Sequence, residues 1–359
     1  MKIAILGSGA GGQATAADFA LHGWEVAVFD FPEFSKQTEG IAEKGGVELT
    51  GQIKGLGKVS YAGDDMGRVM KGADLIMLVG PAYSTEAFAK ACRDYLRPGQ
   101  TVVVCPSSCG GGLLFKKTAG LPVEDDEVVV AETSTLPYAA RLEEPGLVHV
   151  FLKLKGGLFV AAIPKEKTEQ VYSLLKDVYP GIETADSLWL TMMQNNNPVI
   201  HPAVTLLNAA LIERTGGDFY FYEDGVTPVV GRLIEAVDEE KIQVGEKLGI
   251  TILPDTEIGV KQGYMDLASY EQGYQKAPGF MGIKAQSSLD HRYLNEDVGY
   301  GLVFYRDIAE KAGVKTPAID AVITIASLIM KKDYRGEKAR TLETLGLGDK
   351  TIEELKTLF

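Results

Sequence analysis

Lys2-Ile3-Ala4-Ile5-Leu6-Gly7-Ser8-Gly9-Ala10-Gly11-Gly12 decides the fold, together with the small-residue segment up to His22 and the run from Trp24 to Asp30. Residues 2–6 are an apolar, β-favouring run of the kind that forms a buried parallel strand. Gly7, Gly9 and Gly12 follow it in G-x-G-x-x-G spacing. The pattern predicts a helix over 14–22, with Ala17, Phe19 and Leu21 on its buried side, then a strand over 24–29 ending on Asp30. Gly7 permits the tight turn out of the strand, Gly9 offers no Cβ to an approaching pyrophosphate, and Gly12 lets the helix lie close on the strand. The unmet N–H groups and positive dipole end of that helix then face phosphate. Asp30 is placed to accept hydrogen bonds from an adenosine ribose. A carboxylate there repels a 2′-phosphate, and Phe31-Pro32-Glu33 brings no cation to replace it, so NAD is favoured over NADP.

A chain of 359 residues exceeds one ordinary core and suits two domains, expected over 1–185 and 186–359. The net charge of −13, with no basic stripe set against it, argues against a nucleic-acid partner and serves solubility. No apolar run is long and charge-free enough to span a membrane. Lys2 before an apolar run superficially resembles a signal peptide, but the glycines and Asp18 fit the nucleotide motif better. Three cysteines are an odd number and make no disulfide framework, and Cys105 and Cys109 lack companion ligands, so no metal is expected. They read as reduced thiols of a cytoplasmic protein.

The first domain continues in βαβ rhythm and is read as a Rossmann-type α/β dinucleotide-binding domain. A small hairpin is expected around Gly51, buried strands over 74–79, 101–105 and 127–132, and a helix capped by Ser84. Residues 148–153 and 158–163 read as a hairpin extending the sheet. Gly110-Gly111-Gly112 after the 101–105 strand fits either backbone approaching a ligand or a flexible loop. Beyond residue 185 the apolar spacing is helical over 188–194, 202–214, 229–248 and 317–331, with a shorter helix over 264–274, giving an all-α C-terminal domain.

Hydride chemistry with a dinucleotide calls for an acid–base group, and four histidines are available. His22 ends the first helix, His149 lies in the expected hairpin, and His291 precedes Arg292. His201 stands in Asn195-Asn196-Asn197-Pro198-Val199-Ile200-His201-Pro202, where Pro202 should keep it out of helical angles and at a helix boundary. On the residues alone it fits a packed helix-terminal histidine as well as a catalytic one.

Taken along its length, the chain resembles the opine dehydrogenases, the family that includes octopine dehydrogenase and N-(1-carboxyethyl)norvaline dehydrogenase. The resemblance rests on residues 7–12, on Asn197-Pro198-Val199-Ile200-His201-Pro202 with Leu206-Leu207-Asn208, and on Tyr222-Glu223-Asp224-Gly225. It continues through Arg292-Tyr293-Leu294-Asn295-Glu296-Asp297-Val298, Thr316-Pro317 and Arg340-Thr341-Leu342-Glu343. It implies His201 as general acid/base oriented by Asp297, and Arg292 as the cation that bridges to the pyrophosphate and draws the domains together. It also implies Thr135 beside the carboxylate of a 2-oxo acid. Where family members carry a cysteine before the arginine at Arg141, Ala140 stands here, which bears on the amino acid taken and not on the chemistry.

The implied reaction is an NADH-dependent reductive condensation of an L-amino acid with a 2-oxo acid such as pyruvate, with Arg292 and backbone amides near Gly110 supplying countercharge. A plain 2-oxo or 3-hydroxy acid dehydrogenase of the same superfamily and a non-catalytic dinucleotide sensor are the alternatives. The partners are then small molecules, and the helical domain leaves room for a homodimer.

Overall fold

The computed structural model describes residues 1–336 and 339–359. Two compact units make up the chain, Met1–Thr191 and Met192–Phe359.

The N-terminal unit is built on an eight-stranded sheet of β1 (Lys2–Leu6), β2 (Glu25–Phe29), β5 (Tyr61–Gly63), β6 (Leu75–Leu78), β7 (Thr101–Val104), β8 (Val129–Thr133), β11 (Leu158–Ile163) and β12 (Ile182–Thr184). Their spatial order is β12-β11-β8-β7-β6-β1-β2-β5. From β5 through β8 the strands run parallel, and β11 enters antiparallel to β8. The chain moves outward from β1 to one side and returns through β6 to the other, so the carboxyl ends of β1 and β6 form the switch point where such sheets take ligands.

A second sheet holds β3 (Gly46–Gly51), β4 (Gly55–Lys58), β9 (Tyr138–Glu144) and β10 (Leu147–Lys153), in the order β4-β3-β10-β9. Here the sequence reading needs correcting. The hairpin is β9–β10 across Pro145-Gly146, while β10 and β11 lie in different sheets. The side chains carry the reason. Val148, Val150 and Leu152 alternate inward along β10, as on a sheet with one wet face, whereas β11 is buried at every position.

Helix α1 (Ala10–Leu21) lies against both sheets. Gly12 to Phe19 are therefore buried without interruption, which explains a helix of small residues with no polar face. A Cβ on Gly57 of β4 would fall 2.4 Å from the Ala17 Cα, so glycine sets that closeness. Buried Asp18 holds the helix to the second sheet through Lys153 Nζ at 2.6 Å and the Tyr138 hydroxyl at 2.7 Å. The remaining helices of this unit are α2 (Ser35–Lys44), α3 (Met66–Met70), α4 (Thr85–Cys92), α5 (Gly111–Ala119) and α6 (Thr168–Leu175). Ser84 does not cap α4; its hydroxyl donates to the Pro81 carbonyl at 2.8 Å.

α7 (Leu188–Met193) spans the division between the units. The second unit continues with α8 (Asn197–Leu207), α9 (Ala209–Thr215), α10 (Pro228–Lys247), α11 (Asp255–Gln262), α12 (Arg292–Asn295), α13 (Val303–Ala312), α14 (Pro317–Met330) and α15 (Ile352–Leu358). The helix expected over 264–274 is replaced by turns, and α11 precedes it instead. Asp297–Leu302 is a π-helical turn leading into α13. A Cβ on Gly301 would sit 2.3 Å from Pro198 Cγ, so this glycine serves the packing of the turn on the start of α8.

Charge is buried in this unit in compensated form. Lys241 Nζ lies 2.6 Å from Asp238 Oδ1, both side chains without solvent exposure. Asp238 Oδ2 also accepts from the Asp255 amide and the Tyr270 hydroxyl, each at 2.6 Å. Burial, with Asp238 beside it, raises the Asp255 carboxyl well above the usual carboxylate range. Asp238→Asn should cost about 3–5 kcal/mol, because it strands Lys241 in the core. Asp255→Asn should cost less than about 1 kcal/mol, because it mimics the neutral acid. Urea unfolding of the two variants checks this, and equal losses would show that Asp255 carries charge.

Candidate active site

At the carboxyl end of β1 the three motif glycines do different things. A Cβ on Gly7, at φ +116°, would meet the Val79 carbonyl oxygen at 2.2 Å, and one on Gly12 would meet the Gly7 carbonyl oxygen at 1.9 Å. Both are demanded by the fold. Gly9 differs, since a Cβ there would have nothing within 4 Å. It stands as the N-cap of α1, with no side-chain cap and no acid in the first turn. The first-turn amides have no acceptor within the helix itself.

Asp30 is buried and holds this loop to the end of β2. Its Oδ2 accepts from the Ser8 amide and hydroxyl, each at 2.6 Å, and its Oδ1 from the Phe31 amide at 2.9 Å. Oδ1 keeps acceptor capacity, since each carboxylate oxygen has two lone pairs. An uncapped helix start, open space at Gly9 and a carboxylate at the neighbouring strand tip fit the pyrophosphate and ribose of a dinucleotide.

The loop after β7 does not supply the amides expected of it. Gly110 N donates to Ser107 Oγ at 3.0 Å, Gly111 N to the Ser107 carbonyl at 2.7 Å, and Gly112 N to Glu132 Oε2 at 2.8 Å. All three are consumed in closing the start of α5, where a Cβ on Gly111 would sit 2.8 Å from Val104. These glycines serve helix–strand packing. Ser108 and Cys109 before them hold left-handed backbone at φ 44° and 62°. Thr135, just past β8, is half-buried, and its carbonyl accepts from the Thr133 hydroxyl at 3.0 Å.

The histidine cluster belongs to the second unit. His201 lies inside α8 and not at a helix boundary as the following proline suggested. Pro198 starts the helix, a position proline favours, and Pro202 forgoes only the bond its N–H would have made four residues back. The polar run before it is structural. Gln194 bonds both backbone groups of Leu253, at 2.8 and 2.9 Å, and Asn196 accepts from Lys241 at 3.2 Å.

Nδ1 of His201 lies 2.7 Å from Asp297 Oδ2, and the residues are 5% and 3% exposed. A carboxylate only accepts, so Nδ1 carries the hydrogen and Nε2 of the neutral ring is an acceptor. The Tyr222 hydroxyl sits 3.1 Å from Nε2. Tyr293 stacks on the imidazole with centroids 3.8 Å apart and planes 22° from parallel, and Phe221 packs near it at 6.0 Å. The π-helical turn begins on Asp297, and its packing on the start of α8 brings that carboxylate to the histidine three residues beyond Pro198.

Arg292 opens α12, and its Nε donates to the buried carboxylate of Glu296 at 2.8 Å. Glu296 first, and Asp297 with it, strengthen its hold on its proton. His291 is the N-cap of α12, its ring accepting from the Tyr293 amide at 3.3 Å. Sequence reasoning gave no role to Tyr222 or Tyr293. Both stand in segments that carried the family resemblance, but aromatic residues there read equally well as core.

Residues 184–330 match the family described as NAD/NADP octopine/nopaline dehydrogenase, alpha-helical domain. The opine dehydrogenase of Arthrobacter sp. (strain 1C) is 33% identical over 99% of this chain and 97% of its own. The vitopine synthase of Allorhizobium ampelinum is 27% identical over 97% and 96%. Among solved structures, an octopine dehydrogenase in complex with NADH and agmatine superposes with a TM-score of 0.77 at 19% identity, covering 100% of this chain and 98% of that one. With the nucleotide motif, the helical domain and full-length identity in agreement, the chain belongs to the opine dehydrogenase family.

Proposed function

We propose that this chain joins an L-amino acid to a 2-oxo acid, most simply pyruvate, by NADH-dependent reduction of the imine they form. The amine nitrogen adds to the carbonyl carbon, water leaves, and one hydride and one proton complete the secondary amine. NADH supplies the hydride when bound. The observation that carries the reading is the buried His201–Asp297 pair at 2.7 Å. With Nδ1–H fixed on Asp297, proton exchange falls to Nε2. His201 donates from Nε2 to the carbonyl or carbinolamine oxygen and retrieves the proton in the reverse direction. Asp297 sets the tautomer and offsets the imidazolium charge.

Gly7 and Gly12 shape the nucleotide loop, Gly9 leaves room for the pyrophosphate, and Asp30 favours NAD over NADP by repelling a 2′-phosphate. Arg292, its Nε on Glu296 and its side chain 43% exposed, offers its terminal N–H groups to an anionic group of cofactor or substrate. Thr135 is assigned to the carboxylate of the oxo acid. The buried thiols of Cys92, Cys105 and Cys109 suit a cytoplasmic protein.

A homodimer is supported by the outer face of α14. Ile325, Leu328 and Ile329 are 48%, 73% and 43% exposed on one stripe, with Ala321 towards its other end. Two copies crossing antiparallel at Ile325 would set each Ala321 against the other's Ile329. Leu328→Glu should shift sedimentation velocity from dimer to monomer at unchanged melting temperature; a monomeric parent protein would remove the interface.

The first test follows NADH oxidation with pyruvate, with and without a pool of L-amino acids. Oxidation that requires the amine supports the reading, and oxidation indifferent to it means a plain oxo-acid reductase. NADH binding without oxidation across a broad panel of oxo acids and amines means a sensor. His201→Ala should lower kcat by roughly 10²- to 10⁴-fold while NADH still binds. In the nucleotide loop, Gly9→Val should fold with a near-parental melting temperature yet bind NADH at least tenfold more weakly by fluorescence titration; parental affinity would place the pyrophosphate elsewhere.

A further inference from the structure

We propose that Tyr222 is a positioning residue of the acid–base group, the partner that holds His201 Nε2 in both of its charge states. The proposal rests on His201 being the acid/base. It starts from an accounting of the imidazole's bonds. Nδ1 is committed to Asp297 at 2.7 Å, and Nε2 meets the Tyr222 hydroxyl at 3.1 Å. Both residues are about one-twentieth exposed. A nitrogen so placed needs a protein partner whenever substrate does not supply one.

The partner's chemistry matters. A carboxylate at Nε2 would fix the ring as imidazolium, and an ammonium would fix it as neutral. A hydroxyl both donates and accepts. The Tyr222 O–H donates to Nε2 of the neutral ring, and its oxygen accepts from Nε2–H of the imidazolium. When substrate oxygen takes the Nε2 proton, Asp297 still holds Nδ1–H, and Tyr222 rotates its own proton back towards Nε2. Tyr222 keeps that proton throughout. Burial, reinforced by Tyr293, holds the phenol well above its ordinary range, so it stays a neutral hydroxyl.

Its ring is fixed independently of the histidine. It stacks on Phe280 with centroids 4.0 Å apart and planes 13° from parallel, and meets Phe221 edge-on at 5.0 Å. Tyr293 fixes the imidazole plane from the other side. Rotation of one O–H bond is then all that the change of charge state requires.

Tyr222→Phe keeps the ring and its stacking and removes only the hydroxyl. We expect kcat to fall roughly ten- to hundredfold, the scale of losing one hydrogen bond to a charged group, with the KM of the oxo acid little changed. The kcat limb belonging to His201 should move to lower pH. Hydrogen bonds to charged groups are worth more than those to neutral ones, so the imidazolium loses more than the neutral ring. Parental kcat with an unmoved limb would overturn the proposal and leave Tyr222 a packing residue.

His201→Asn, measured beside it, separates the two ideas. Turnover surviving in His201→Asn would remove the acid/base reading and this proposal with it. An inactive His201→Asn beside a parental Tyr222→Phe would remove this proposal alone. Should Tyr222→Phe fail to fold, ¹⁵N-histidine NMR of the unaltered enzyme decides. A neutral His201 protonated at Nδ1, with Nε2 shifted as a hydrogen-bond acceptor, supports the proposal, and the opposite tautomer overturns it.

Discussion

The close approach of two glycines sets the N-terminal unit. A Cβ on Gly12 would lie 1.9 Å from the Gly7 carbonyl oxygen, so the first turn of α1 touches the end of β1 with only hydrogen between them. Everything around α1 is adjusted to that depth. Gly57 admits the helix to the second sheet, and Gln13 ties both sides, its amide donating to the Ser8 carbonyl at 2.7 Å and its oxygen accepting from Gly146 N at 2.9 Å. Asp18 fastens the far half to Tyr138 and Lys153. The glycine loop inherits its shape from this packing, and Asp30 finishes it by binding Ser8.

The C-terminal unit is held by a different device, buried carboxylates matched to specific donors. Glu240 accepts the Ala318 and Ile319 amides at 2.7 and 2.8 Å, capping α14 from α10. Asp238 answers Lys241, and Asp297 answers His201. Each places a charge where removing one partner is costly, which specifies how α8, α10, α14 and the π-helical turn meet. The candidate catalytic pair uses the same device, with an imidazole as the partner.

The glycine loop was legible because most of its pattern is local. Strand, triplet, helix and acid follow one another within thirty residues, and the closest contact, Gly12 on Gly7, joins near neighbours in the chain. The second sheet was not, because residues 138–144 carry no clean apolar alternation and β10 lies next to β11 in the chain while pairing elsewhere. The alternation of Val148, Val150 and Leu152 is the one local sign that β10 has a wet face. His201 was singled out, yet its position inside α8 was missed, since the residue before a proline is biased from helical angles and not barred from them. Its contacts with Tyr222 and Asp297 join residues 21 and 96 positions away. No periodicity encodes such a pairing. The Gly110–Gly112 amides looked available because their internal acceptors, Ser107 and Glu132, are revealed only once α5 exists.

The bare start of α1 has a consequence for the protein's stability. Ser, Thr, Asp and Asn are the residues that best satisfy a helix's first amides, and Gly9 provides no such group. Part of the folding free energy is thereby lent to whatever anion docks there, about 2.7 kcal/mol at a free concentration one hundred times Kd. An anion bound at that helix start would raise resistance to heat and to proteases in step with its free concentration.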